Sequence, residues 1–229
     1  MPSISRHQLL QLLKGEIALA DLARETGLFP DEITSQQHRY LEDKLPQIQG
    51  DLTVSTTKPA RIVRDQWGVA HISADTLKDG YFALGYAMAQ DRLWQLDYIR
   101  RRALGLLAEV MGPDSLHSDR FHRTIGLDTA ARAAAEQLSQ EIALVLDALA
   151  AGINAAMEAA LDELPLEFDL LDYQPHPWTP VDSIAVWKWR WWMLTGRLEV
   201  IAQREACKRY LSEDLCTAFL AVEAGEETI

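Results

Sequence analysis

Residues 64–112 read RDQWGVAHISADTLKDGYFALGYAMAQDRLWQLDYIRRRALGLLAEVMG, and the change of period inside this stretch sets the fold. Ala60–Arg64 and Val69–Ile72 are β-rich runs. Asp65, Gln66, Trp67 and Gly68 between them have turn character, with Gly68 free to take a positive φ. A hairpin is expected there, within residues 49–74, the one region of strong strand character. From Thr76 onward the pattern becomes helical. Thr76 and Asp79 make a capping-box pattern, and Leu77, Tyr81, Leu84, Met88, Leu96, Ile99, Ala103 and Leu107 recur at three- and four-residue steps. A helix over 76–111 is expected, stopped by Gly112-Pro113. Gly80, Gly85 and Gly105 inside it each cost about 1 kcal/mol relative to alanine, which is tolerated where another element must approach closely.

The charges of this helix, Asp91, Arg92, Asp97, Arg100, Arg101 and Glu109, are interleaved with glycines and apolar residues on nearly all sides. A helix of that kind is buried between neighbours, and its charges need buried partners. Asp97 and Arg101 stand at i, i+4 and can pair directly. The pattern points to a large assembly rather than a lone subunit.

Working outward, residues 1–48 are polar and helix-prone, with Gly27 as a stop. They are read as a helical N-terminal extension, and residues 49–229 as one domain. A second helix is expected over about 129–161. Thr179-Pro180-Val181-Asp182 opens a third, with Thr179 at the N-cap, Pro180 at N1 and Asp182 at N3. It continues towards Tyr210 with a kink near Gly196, and a short helix follows over 212–224. Five of the seven tryptophans, 178, 187, 189, 191 and 192, fall in this part. The last four point in at least three directions around a helix, so part of that surface is expected to meet another chain or a ligand.

Composition narrows the function. Almost half of the 229 residues are apolar, which is a globular composition. A net charge of -12 repels phosphate backbones and argues against nucleic acid as a partner. The segment ALADLARETGL resembles the first half of a helix-turn-helix, but residues 7–45 lack a basic recognition helix. No uninterrupted apolar run reaches eighteen residues, so no membrane partner is expected. The N-terminus has no apolar signal region, and a cytoplasmic location is expected. On one helix Cys207 and Cys216 would lie about 13 Å apart, too far for a disulfide, so free buried thiols are expected.

No self-contained catalytic set is present. There is no nucleophile elbow, phosphate loop or dinucleotide fingerprint. His117 and His122, five apart around Asp119, lack the i, i+4 spacing of a helical metal site. Met1-Pro2 does not begin a small β-α-β unit that would make a proline base plausible.

Ordered blocks do carry a resemblance. RDQWGVAHI at Arg64–Ile72, GYAMAQDRLWQLD at Gly85–Asp97 and the pattern R-R-x-A-x-G-x-L-A-E-x-x-G at Arg100–Gly112 are followed by DRFHRTIG at Asp119–Gly126. LPLEFDLL at Leu164–Leu171 and PWTPVDS at Pro177–Ser183 complete the set. Together they resemble the penicillin acylase family over about residues 50–212. The resemblance implies an α+β fold: a mainly helical smaller chain of a four-layer αββα N-terminal nucleophile hydrolase heterodimer, with a small β-hairpin region. It implies a precursor that cleaves itself. The catalytic nucleophile would be the N-terminal serine of the larger β chain, with its own α-amine as base and the oxyanion hole on that chain, and no catalytic residue here. The substrate would be a small N-acyl compound. By the same resemblance Leu194, Arg197 and Leu198 are the substrate-binding positions, the two leucines sharing one helical face. A gapless reading puts Ile201 where relatives often carry a calcium-ligating acid, with Glu199 and Glu205 only nearby. No cofactor is therefore expected. The alternative is a non-catalytic helical interaction subunit that retains the acylase scaffold.

Overall fold

The expected hairpin is the core of a three-stranded antiparallel sheet ordered β1-β2-β3. The strands are β1 (Gly50–Ser55), β2 (Pro59–Arg64) and β3 (Ala70–Ser73) in a computed structural model that describes residues 3–46, 49–195 and 198–220. Val54 pairs with Ala60, and Ile62 stands between Leu52 and Ile72. The two-residue period gathers Val54, Ala60 and Ile62 on one face, buried against Ala83 and Ala87 of the following helix. At the β2–β3 turn Gly68 takes φ 79°. The Asp65 carboxylate accepts from the amides of Trp67 (2.9 Å) and Val69 (3.0 Å), which makes the turn rigid.

The long helix, α4, runs over Leu77–Leu104. Thr76 caps it by accepting from the Asp79 amide, and the Asp79 carboxylate also accepts from the amides of Thr57 and Lys58. One side chain thus joins the helix start to the β1–β2 turn. The helix ends seven residues before the expected stop. Gly105 takes φ 67°, and a Cβ there would lie 2.6 Å from Arg123 Cγ and 2.8 Å from the Asp119 carbonyl. The chain turns away because helix α6 (Leu116–Ile125) packs against it. The next amides, of Leu107 and Ala108, donate to the Asp119 carboxylate at 2.8 Å each, and a short helix α5 (Ala108–Met111) follows.

The helix expected over 129–161 is two helices, α7 (Leu127–Ala135) and α8 (Gln140–Ala159), because Ser139 acts as a new N-cap for α8. α8 crosses α4 in backbone contact. A Cβ on Gly85 would strike the Leu149 carbonyl, and one on Gly152 would strike the Phe82 carbonyl. Gly85 therefore does what the sequence implied. Gly80 does not, having only Ala74 at ordinary contact distance. Around the crossing, Ala89, Leu93, Ile153, Met157, Phe168 and Trp178 form the main core. Among the described residues α8 is the one helix long and apolar enough to cross a membrane. Here it supplies core to α4.

Three N-terminal helices, α1 (Arg6–Leu13), α2 (Leu19–Thr26) and α3 (Pro30–Asp43), share a small core of Leu22, Leu28 and Ile33. Gly27 stops α2 with φ 71°. They attach to α9 (Leu166–Leu171) through one carboxylate. Asp169 takes Arg6 at 2.5 Å, the Tyr40 hydroxyl at 2.5 Å and Lys44 at 2.8 Å, while Lys44 also donates to the Leu164 carbonyl. In a helix-turn-helix reading α3 would be the reading helix. Its Tyr40 and the adjoining Lys44 are instead engaged with the body of the chain.

The chain divides into two compact units between Lys188 and Trp189. The boundary falls within α10 (Pro180–Thr195), and the second unit continues with α11 (Leu198–Tyr210) and α12 (Glu213–Leu220). Cys207 on α11 is half-buried and Cys216 on α12 is buried, both as free thiols.

Candidate functional site

Two arrangements bear on function. The first is a buried ionic hub on the last turns of α4. Asp97 is 1% exposed, and Arg100 and Arg101 are buried with it. Arg101 Nε donates to Asp97 Oδ2 at 2.8 Å, Arg100 binds Oδ1, and the Tyr173 hydroxyl donates to Oδ2 at 2.9 Å. The guanidinium planes lie 5.1 Å from the rings of Trp178 and Tyr173. Burial, and then the neighbouring Asp97 carboxylate, push the Tyr173 hydroxyl well above the ordinary tyrosine range, so it stays a donor. Of the charges expected to need buried partners, Asp97, Arg100 and Arg101 are buried and find them within this chain, whereas Arg92 and Glu109 are exposed.

The hub fixes the loop that leads into α10. Arg100 donates to the carbonyls of His176 (3.0 Å) and Pro177 (3.1 Å) and lies 3.6 Å from the Asp182 carboxylate. From the other side Asn154 of α8 clamps the Trp178 backbone. Its amide donates to the carbonyl at 2.9 Å and its carbonyl accepts the N–H at 2.6 Å. Thr179 and Asp182 close the N-cap of α10 as their spacing predicts, the Asp182 carboxylate accepting from the Thr179 amide at 2.7 Å. The start of α10 is thus held by α4, α8 and its own cap. Tyr173 and Asn154 had not been singled out. A lone asparagine in the alanine-rich stretch of α8 was the available signal, since a polar residue on a core helix needs a partner.

The second arrangement is the set of substrate positions taken from the resemblance. Leu194 lies in the last turn of α10 and is 66% exposed. Leu198 is the first residue of α11 and is 49% exposed. Arg197 lies outside the described residues. The shared face of Leu194 and Leu198 was argued for one continuous helix. Residues 196 and 197, where the kink near Gly196 was expected, lie outside the described residues; Leu194 and Leu198 stand on the helical segments to either side. Both present apolar surface. Trp191 is also exposed, while Trp189 is buried. The tryptophans therefore divide between core and surface, as their directions implied.

Ile201 has no side-chain oxygen, and Glu205 pairs with Lys208 at 2.7 Å. His122 is buried and its Nδ1 lies 2.8 Å from the Ser118 carbonyl. Burial lowers its pKa, so the ring is held neutral as a core group. His117 Nδ1 lies 2.8 Å from the Asp114 carbonyl. Among the described residues no three His, Cys, Asp or Glu side chains gather as metal ligands would.

Comparison with known proteins agrees with this architecture. Residues 59–224 match the family described as penicillin amidase. Penicillin acylase 2 proenzyme of Pseudomonas sp. (strain SE83) is 40% identical over 147 residues, which is 64% of this chain and 19% of that protein. Acyl-homoserine lactone acylase QuiP of Pseudomonas aeruginosa is 33% identical over 180 residues, 78% of this chain and 21% of that one. The chain therefore spans about a fifth of the length of these curated relatives. Among solved structures, a thermostable penicillin G acylase from Alcaligenes faecalis superposes with a TM-score of 0.63 at 27% identity. That match covers 78% of this chain and 96% of the solved chain.

Proposed function

The chain belongs to the penicillin amidase family, and on that premise we propose that it is the smaller, non-nucleophilic chain of an acylase that hydrolyses a small N-acyl amide. The observation that carries this reading is the match to the penicillin amidase family over residues 59–224, joined to the likeness with a chain of a solved penicillin G acylase, of which 96% is covered. The chain spans about a fifth of its curated relatives. One of the relatives is itself named a proenzyme.

In this reading the serine that begins the larger chain attacks the amide carbonyl, with its own α-amine taking the proton. The amine product leaves, and water releases the acid from the acyl-enzyme. The present chain supplies part of the acyl-binding wall through Leu194, Arg197 and Leu198. Support comes from the uncovered apolar surface of the two leucines and from the rigid seating of the first turns of α10. Covering one leucine with an acyl chain contributes about 1.5–3 kcal/mol, enough to rank acyl groups.

The test is a panel of amides differing only in acyl group, assayed with the two chains produced together. Leu194→Phe or Leu198→Phe should shift kcat/KM away from bulky acyl groups relative to small ones by roughly tenfold or more, with the precursor still maturing. An equal loss for every acyl group would remove these positions from the pocket.

A further inference from the structure

We propose that the exposed apolar stripe Leu77–Leu84–Met88 of α4, together with exposed Trp67 and Val69 of the β2–β3 turn, is a seat for the larger chain. This rests on the smaller-chain reading above and names the face that reading leaves open.

The inference begins with α4 itself. Its apolar residues occupy three sectors. Ala83 and Ala87 are buried against the sheet. Gly85 meets the α8 backbone, and Ala89 and Leu93 enter the main core beside α8. Steps of seven and four residues place Leu77, Leu84 and Met88 on one further stripe, and all three are exposed. A helix apolar on every side is stable only when every side is covered. This chain covers two sectors and leaves the third.

The turn adds exposed apolar surface in a prearranged form. Buried Arg64 donates to the Gly68 carbonyl at 3.0 Å, to Gln90 at 2.8 Å and to Asp91, which fixes the turn beside the adjoining turn of α4. Trp67 is 78% exposed on a backbone already locked by Asp65. An exposed tryptophan on a fixed backbone has the make-up of an interface anchor. The occupant follows from the relatives, of which the matched part is only about a fifth. The stripe and turn lie within the family-matched residues 59–224, and about four-fifths of the relatives' length lies outside this chain. Phe29 is also exposed, but it belongs to the N-terminal helices outside the family match, and so provides a control.

The experiment uses the assembled protein, the chain produced with its larger partner. Leu84→Cys and Phe29→Cys are labelled with a maleimide and read by peptide mass spectrometry. The thiol introduced at position 84 should label at least about tenfold more slowly than the one at position 29, as expected of a closely packed, water-excluded interface core. Independently, Leu84→Glu with Met88→Glu should reduce recovery of the two-chain complex by roughly a hundredfold, since it places charge in a desolvated contact, while Phe29→Glu assembles normally. Equal labelling at the two positions, or normal assembly of the double glutamate variant, overturns the proposal and leaves the acylase reading standing. A wild-type chain that recruits no larger partner overturns both. Protection of the thiol at position 84 by a second copy of this chain would overturn the stated occupant alone.

Discussion

Asp97 binds Arg100, Arg101 and Tyr173 while almost wholly shielded from water. Two guanidinium groups therefore share one buried carboxylate. Removing one partner of such a buried set leaves an uncompensated charge, which costs about 3–5 kcal/mol. Asp97→Asn should destabilise the assembled protein by that amount. Tyr173→Phe, which removes one hydrogen bond to a charged group, should cost about 1.5–3 kcal/mol. Urea unfolding followed by circular dichroism would give the order wild type, Tyr173→Phe, Asp97→Asn. If Asp97→Asn unfolds at the wild-type midpoint, the hub does not hold the α10 loop. The i, i+4 spacing of Asp97 and Arg101 was legible in the sequence. Tyr173 was not, because it lies 76 residues away and reaches Asp97 only through the packing of the loop.

At the level of elements, α4 and α8 are held by reciprocal glycines. Gly85→Ala and Gly152→Ala should each cost at least about 1–3 kcal/mol, because the new Cβ meets a backbone carbonyl that a rotamer change cannot move. Gly80→Ala should stabilise slightly or be neutral, since only Ala74 is near and alanine is the better helix former. Thermal unfolding of the three variants checks this, and equal midpoints would contradict the close crossing. Features set by local chemistry, such as the hairpin, the Thr76 and Thr179 caps and the Gly27 stop, were legible in the sequence. Features set by neighbours were not. α4 ends at Gly105 because α6 blocks its path. The Ser139 cap that separates α7 from α8 is local chemistry and was missed in the alanine-rich run. β1 was located only as part of a β-rich region, since its pairing comes from β2. For the candidate site, Leu194 and Leu198 came from resemblance, since apolar residues at helical spacing read the same whether they line a pocket or a core.

The docking of the N-terminal helices also belongs to this scale. Burial disfavours the charge of Asp169, but hydrogen bonds from Lys44, Tyr40 and Arg6 outweigh it and hold the carboxyl below the usual aspartate range. A depressed pKa contributes stability above the unfolded value, about pH 3.9, that is lost as pH falls through the folded value. Protection factors for amide exchange in α1–α3 should therefore be high at neutral pH and fall in acid below that range. Asp169→Asn should give the low protection already at neutral pH. Unchanged exchange in the variant would mean that the small core of Leu22, Leu28 and Ile33 needs no anchor on α9.

For the whole molecule, the exposed stripe of α4 and the exposed leucines of the second unit are the surfaces that the proposed larger chain and its substrate would cover. The most direct measurement is intact mass of the purified protein, first under native and then under denaturing conditions, with N-terminal sequencing of any second species. The account predicts a one-to-one complex with a larger chain that begins with serine. A folded, stable species of 25.8 kDa that stands alone would contradict it.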